Sequence, residues 1–321
     1  MTPQQKFDLL MSRQNKRFDW SSTYIPSTLA VPREAPKGSR ISRLNSRKLN
    51  RTLHALSTPE RVFMQLALYH PGLMDLHEQK MLTVYNHCHP LQGHPLLRGS
   101  LLPELTGTKE IAKQIGFKHH QITIEKRDGN RERHLYPYQG DIMLYVVDRE
   151  GRPYALNWSV KDREGAFHER RLSSAKTPIQ QRKDRDHAML RGRLERDYYA
   201  SAGIRTVQVS LDKVESTVQA NLDLLYPMHL LPLSHEPELL ADYSCDVAAS
   251  ALAGDPVWPV TRKYGERWGK RDQFIARFYQ DIWERKLPIN FFKPILIDHA
   301  LSIEGGDLLA AYSSWFEESD S

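Results

Sequence analysis

"GDIMLYVVDREGRPYALNWSVKDREG", Gly140 to Gly165, is two runs of strand-forming residues around a polar turn. An aspartate, Asp141, opens the first run, and a lysine, Lys161, ends the second. The pattern predicts an antiparallel hairpin with its turn near "REGR". That turn sets Asp141 opposite Val160 or Lys161. Residues directly opposite in an antiparallel pair point to the same face. With Lys161 as partner, a carboxylate and an ammonium share one face. Ser159, two residues before Lys161, faces the same way.

This grouping has chemical use. A carboxylate can hold Mg²⁺, a hard cation that takes oxygen ligands and keeps several waters. A neighbouring lysine can orient an attacking water, favour its deprotonated form and offset charge on a pentavalent phosphate. With one more carboxylate, this suffices for metal-assisted phosphodiester hydrolysis. From the hairpin alone, however, a surface ion pair between two strands is the commoner arrangement.

The further carboxylate is sought upstream. "STPERVFMQLALYHPG" predicts a helix with Ser57 as N-cap, Pro59 in its first turn and Val62, Phe63, Leu66 and Ala67 as apolar face. Pro71-Gly72 stops it. Glu60 lies at its start and is the first candidate. Ser57-Thr-Pro-Glu60 is also a capping-box pattern, in which the glutamate serves only its own helix. Glu78, in "LHEQK", is the second candidate, with a surface glutamate as its plain alternative.

The surrounding chain reads as mixed α/β. "LMDLHEQKMLTVY" contains a strand, and residues 86–108, rich in His, Pro and Gly, form a long loop. "KEIAKQIGFKHH" is a short helix with Gly116 near its C-cap. "HHQITIEKRDGNRERHLYPYQ" holds strands joined by an Asp128-Gly129 turn. After the hairpin, "TPIQQRKDRDHAMLRGRLERDYYASAG" is a long basic helix, "IRTVQVSL" a strand, and "KVESTVQANLDLLYP" a helix capped by Asp212 with Glu215 completing the box. Beyond about residue 229 the texture becomes helical, with "KRDQFIARFYQDIWERK" and a strand or wing at "PILIDHALSIEGG". Trp258, Trp268 and Trp283 are expected in its core. An acidic tail, "WFEESDS", ends the chain.

The chain has 321 residues and a formal charge of +6, which points to a polyanionic partner such as nucleic acid. Its two cysteines, Cys88 and Cys245, build no disulfide framework, and a reducing cytoplasm fits. No signal-peptide core or membrane-length apolar run is present, so no membrane partner is expected. Residues 1–56 look irregular, and "KGSRISRLNSRKLNR" carries six basic residues and no acid. Lys37, Arg40, Arg43, Arg47, Lys48 and Arg51 are candidate phosphate contacts on such an arm, which otherwise is a solvated leader. Lys176, Arg182, Lys183 and Arg185, in and before the long basic helix, are further candidates. The interleaved acids of that helix, Glu195 among them, make a solvated, salt-bridged face the plain alternative to phosphate contact, which its place after the hairpin favours. "NHCHPLQGH" lacks a second Cys/His cluster and reads as a loop rather than a zinc site. No Walker pattern and no nucleophile elbow occur.

The hairpin spacing resembles that of PD-(D/E)xK nucleases. In order along the chain, "STPERVFMQLALYHPGLMDLHEQKML", "EIAKQIGFKHH", "GDIMLYVV", "ALNWSVK" and "GRLERDYYASAGIRTVQVSLDKVESTVQANLDLL" resemble the TnsA family. That family supplies the endonuclease subunit of heteromeric bacterial cut-and-paste transposases. The likeness runs from about Arg43 to Leu225. It implies a restriction-endonuclease-like mixed sheet flanked by helices, at 57–228, after a basic arm at 1–56. The change of texture beyond residue 229 reads as a smaller, mostly helical domain at 229–321, with a winged helix as one form of it, for partner or DNA binding.

The resemblance implies Glu60 and Asp141 as metal ligands and Lys161 as the catalytic lysine. Ser159 stands where the family pattern has Gln and related nucleases have Asp or Glu. Metal contact there would come from its hydroxyl or from main-chain carbonyls such as that of Val160. Mg²⁺ is the implied cofactor, with Mn²⁺ as substitute. The implied activity is hydrolysis of the 5′ strand at transposon ends, at the bacterial nucleoid. The implied partners are transposon-end DNA, a TnsB-like DDE transposase and a TnsC-like AAA+ ATPase regulator. A stand-alone restriction or repair nuclease and a catalytically inactive DNA-binding assembly subunit are the alternatives.

Overall fold

A computed structural model of the chain describes residues 2–14, 23–97, 99–125, 129–168 and 176–318. The chain is mixed α/β. In order, the described elements are α1 (Pro3–Gln14), β1 (Ser42–Ser46), β2 (Arg51–Ala55), α2 (Thr58–Tyr69), β3 (Leu73–Glu78), β4 (Met81–Leu82), α3 (Thr108–Gln114), β5 (Gln121–Glu125), β6 (Arg131–Leu135), β7 (Tyr138–Gln139), β8 (Ile142–Val147), β9 (Pro153–Lys161), α4 (Pro178–Ala200), β10 (Arg205–Ser210), α5 (Ser216–His229), α6 (Pro237–Leu252), α7 (Trp258–Trp268), α8 (Arg271–Trp283) and α9 (Leu308–Ala311). They fall into two compact units. The first holds the described residues up to Ala67, from Pro71 to Lys213 and from Phe316 onward. The second holds Leu68–His70 and Val214–Trp315. The division thus falls at Lys213/Val214 rather than at 228/229.

The quoted hairpin is β8–β9, at the centre of a sheet ordered β10-β9-β8-β3. Its turn is closed by the Asp148 carboxylate, which accepts the main-chain N–H groups of Glu150 and Arg152. Gly151, at φ +84°, supplies the left-handed residue. β3 and β9 both run antiparallel to β8. β10 runs parallel to β9, a pairing that requires a long crossover, and α4 lies in that crossover.

Both faces of the hairpin are covered, which suits the near-continuous apolar run of β8. On one face Met143, Tyr145 and Ala155 pack with Tyr198 and Tyr199 of α4. On the other, Phe63 of α2 meets Trp158 edge to face at 5.8 Å. Burying a ring of that size is worth about 1.5–3 kcal/mol. Together these contacts fix where α2 begins and where β8 begins, and those are the positions of Glu60 and Asp141.

The amino-terminal region is not an irregular arm throughout. It contains α1 and the hairpin β1–β2, in which Leu44 pairs with Leu53. Leu44, Leu49 and Leu53 are all buried. The leucines between the basic residues supply the core that composition alone concealed.

In the second unit, α5 starts at Ser216 with Glu215 as N-cap, and no side chain caps it. Asp212 instead accepts the Glu164 N–H, so the expected capping box does not form. The unit's core includes Tyr243 against Phe274, with ring centroids 5.0 Å apart. Asn221 of α5 donates to the carbonyls of Phe291 and Lys293 and so holds the segment after α8. "PILIDHALSIEGG" forms turns rather than a strand or wing. Of the three tryptophans expected in the core, Trp283 is buried, Trp258 is half-buried beneath Arg271, and Trp268 is exposed.

The tail returns to the first unit. Phe316 packs on Trp158 at 5.0 Å, and its carbonyl accepts the Tyr154 hydroxyl. Among the described residues no helix is long and apolar enough to cross a membrane.

Candidate active site

The β8–β9 register pairs Ile142 with Trp158. One step further, Asp141 is level with Ser159, not with Val160 or Lys161 as the turn position suggested. A slip of two residues from Lys161 leaves the face unchanged, because side chains alternate with period two. The carboxylate still reaches both neighbours. Asp141 Oδ2 accepts the Val160 N–H at 2.7 Å and the Lys161 ammonium at 3.3 Å. Lys161 Nζ also donates to the Val160 carbonyl at 2.9 Å. The two side chains are about a third exposed, 30% for Asp141 and 38% for Lys161. The Asp141 charge holds the Lys161 amine above its usual value, against burial. Lys161 is therefore an ammonium at neutral pH, a charge and a donor rather than a base.

Glu60 stands at the start of α2 and is buried. The capping alternative is realised in modified form. Ser57 Oγ accepts the Glu60 N–H at 3.3 Å and donates to Glu60 Oε1 at 2.9 Å. Glu60 Oε2 accepts the N–H of Leu56 rather than that of Ser57. Capping does not isolate the residue, however. Burial, and next the Asp141 carboxylate, push Glu60 up to about 7, while the Lys161 charge pulls the other way. Glu60, Asp141 and Lys161 thus share one electrostatic site.

Gln79 joins the two acids. Its side-chain amide donates to Glu60 Oε2 at 2.7 Å, and its main-chain N–H donates to the Asp141 carbonyl at 2.9 Å. It does so at φ +43°, a left-handed conformation uncommon for a residue other than Gly, Asn or Asp. Its buried Oε1 has no hydrogen-bond partner among the described residues. Sequence reasoning assigned Gln79 no role. The only signal was the Glu-Gln step after β3, which does not announce a positive φ.

Gly140 is closely surrounded by side chains. A Cβ there would lie 3.2 Å from the Tyr199 hydroxyl, 3.3 Å from Asn157 Oδ1 and 3.5 Å from Glu195 Oε1. Glu195 is not on a solvated face. It is buried, accepting from Asn157 Nδ2 at 3.0 Å and from Arg191 at 3.1 Å.

The donors fit a hard cation. Glu60, Asp141, the Ser159 hydroxyl and the Val160 carbonyl offer only oxygen, and two carboxylates that repel each other are relieved by a divalent ion between them. Among the described residues no group of three or more His, Cys, Asp or Glu is arranged to hold a metal. Two carboxylates with water completing the shell is the mode Mg²⁺ uses. Glu78, the second candidate, is fully buried and occupied by Arg51 and the His54 N–H.

The candidate DNA contacts divide. Lys37, Arg40, Arg43, Arg47 and Lys48 are exposed, Arg43 on β1 level with His54. Arg182, Lys183 and Arg185 are exposed on α4. Lys176 pairs with Asp184. Arg51 is a correction. Its side chain is 6% exposed, bonded to Glu78 and to the Leu76 carbonyl, and does not face a phosphate. Asp128, expected in the β5–β6 turn, lies outside the described residues. In the His-rich loop, His89 is buried and accepts the Leu91 N–H. Set against family models and curated proteins, the chain matches none.

Proposed function

We propose that this chain is a Mg²⁺-dependent DNA endonuclease of the TnsA kind, hydrolysing the 5′ strand at transposon ends. One observation carries the reading: a single Asp141 oxygen binds Lys161 and the strand that bears it, within electrostatic reach of Glu60. The β10-β9-β8-β3 sheet between α2 and α4 supports a restriction-endonuclease-like fold.

Glu60 and Asp141 would hold the ion, with Mn²⁺ as substitute. When bound, Mg²⁺ supplies Lewis acidity toward the phosphate oxygens. Lys161, whose charged form Asp141 favours, donates a hydrogen bond to the attacking water and offsets charge on the scissile phosphate. Gln79 holds the Glu60 carboxylate, and its N–H holds the main chain of Asp141. Arg43 of β1 and the exposed cations of α4 bind the DNA backbone. A TnsB-like transposase cuts and joins the other strand, and a TnsC-like regulator docks on the helical second unit. The place of action is the bacterial cytoplasm, at the nucleoid.

The test is strand-specific cleavage of a labelled transposon end in Mg²⁺, with the partner transposase and regulator present. Loss of 5′-strand cutting alone in Asp141→Ala and Lys161→Ala supports the reading. Ser159 and the capping bonds of Glu60 favour one alternative, an inactive DNA-binding assembly subunit. Unchanged cutting and normal complex formation in both variants would select it.

A further inference from the structure

The first unit contains an open cavity of about 830 Å³. Its described lining includes Lys109, Arg133, His87 and His134, and no Asp or Glu. Tyr85 stands at its edge, 69% exposed, with the Lys109 ammonium 5.6 Å from the ring centre. Phe7 of α1 is buried beneath, 5.9 Å from the His134 ring.

The backbone holds this arrangement. The main-chain N–H groups of Thr108 and Lys109 donate to the carbonyls of Thr83 and Val84. Asn86 Oδ1 accepts the Gly107 N–H. A Cβ on Gly107 would lie 2.4 Å from the Val84 carbonyl oxygen, so only glycine allows this approach. Tyr85 and Lys109 are therefore presented together by a fixed loop.

We infer that this cavity takes an unpaired nucleotide of a single DNA strand. Two permanent cations, Lys109 and Arg133, line the cavity and attract an anion, while His134 pairs with Glu132 at its edge. An exposed aromatic ring beside a cation offers a stacking surface with a phosphate contact next to it, which is how single strands are held. Phosphate alone has no use for the ring, and a neutral aromatic has none for the cations. The volume suits a ligand of nucleotide size, and the open mouth lets the strand run on. The choice of DNA over RNA rests on the endonuclease reading; the stacking site does not.

Fluorescence anisotropy of a labelled oligothymidylate tests this, with the full chain in EDTA so that nothing is cut. Tyr85→Ala should weaken binding about tenfold, as loss of one stacked base does, and Tyr85→Phe should retain it. Lys109→Ala and Arg133→Ala should each reduce the dependence of log K on log salt by about 0.7. Free thymidine monophosphate should displace the strand only at far higher concentration. Wild-type affinity in Tyr85→Ala overturns the proposal. So does a duplex, or an oligouridylate, that binds as well and depends on Tyr85 as strongly. Displacement by the free nucleotide at concentrations matching the strand also overturns it. Cleavage plays no part in the measurement, so its failure and that of the endonuclease reading are separate results.

Discussion

One oxygen of Asp141 binds two successive residues of the next strand, the Val160 N–H at 2.7 Å and the Lys161 ammonium at 3.3 Å. The same carboxylate therefore favours the lysine's charged form and, with the Val160 carbonyl, fixes its position. Neither residue is buried deeply enough to carry much of the fold.

Function and stability should accordingly separate at this pair. Asp141→Ala and Lys161→Ala are each expected to slow 5′-strand cleavage at least about a hundredfold. The unfolding midpoint should move little, since a part-exposed ion pair is worth about 0–1 kcal/mol. Lys161→Arg should not rescue, because a planar guanidinium does not replace a compact ammonium. Cleavage rates and thermal melts on the same samples check this. A large loss of stability in either variant would make the pair structural.

Glu60 predicts a pH dependence. Its carboxyl sits at about 7 in the folded chain against an ordinary 4.5. Below the lower value both states are protonated. Between the two, folding takes up a proton, so stability falls as pH rises through that window. The full loss is roughly 3 kcal/mol. Glu60→Gln should remove that slope. A bound cation needs the ionised form, so Mg²⁺ should also flatten the slope and bind more tightly as pH rises from about 6 to about 8. Urea midpoints across pH, in EDTA and in Mg²⁺, measure both effects. An undiminished slope in the variant would end this account of Glu60.

Arg51 and Glu78 make a buried pair, so removing one partner leaves a charge without compensation. Arg51→Ala should cost about 3–5 kcal/mol, and Arg51→Met combined with Glu78→Gln should recover much of it. DNA affinity of the folded protein should keep its salt dependence in the double variant. Arg43→Ala, on the exposed β1, should lower it. If the double variant loses that dependence, Arg51 is a phosphate contact after all.

His77 should make the chain acid-sensitive. Burial pushes it down to about 3, and Tyr24 stacks on it at 3.7 Å. A histidine held neutral supports the fold above its ordinary value of 6.5. That support is lost as pH falls from there toward the folded value. His77→Gln should be less stable at neutral pH and lose less on acidification. Thermal melts between about pH 4 and about pH 7 decide, since the ring titrates near 6.5 when exposed. An equal acid loss in the variant would assign the effect to other groups.

Much of the first unit was legible in local pattern. The hairpin announced itself by two strand-forming runs around "DREGRP", and α2 by its cap, its proline and its apolar face. The same local logic failed where a long-range partner intervened. Arg51 looked like one more cation in a basic stretch until Glu78 buried it. Glu195 looked like one acid of a salt-bridged helix until Asn157 and Arg191 enclosed it. Asp212 had a capping pattern, but Glu164 took its carboxylate.

Alternation along a strand needs only the chain itself, so the sequence alone determined that Ser159 and Lys161 share a face; the register that puts Asp141 on it was decided by the pairing of β8 with β9. The helical period likewise determined that α2 buries Phe63 and begins near Glu60. What lies beside what across the chain was decided only by the tertiary structure. The packing of α2 and α4 on the two faces of β8–β9 brought Glu60 within reach of Asp141. It also placed Gln79, in a strained conformation, between them. Such proximities arise from burial summed over many residues distant in sequence, and no local spacing encodes them.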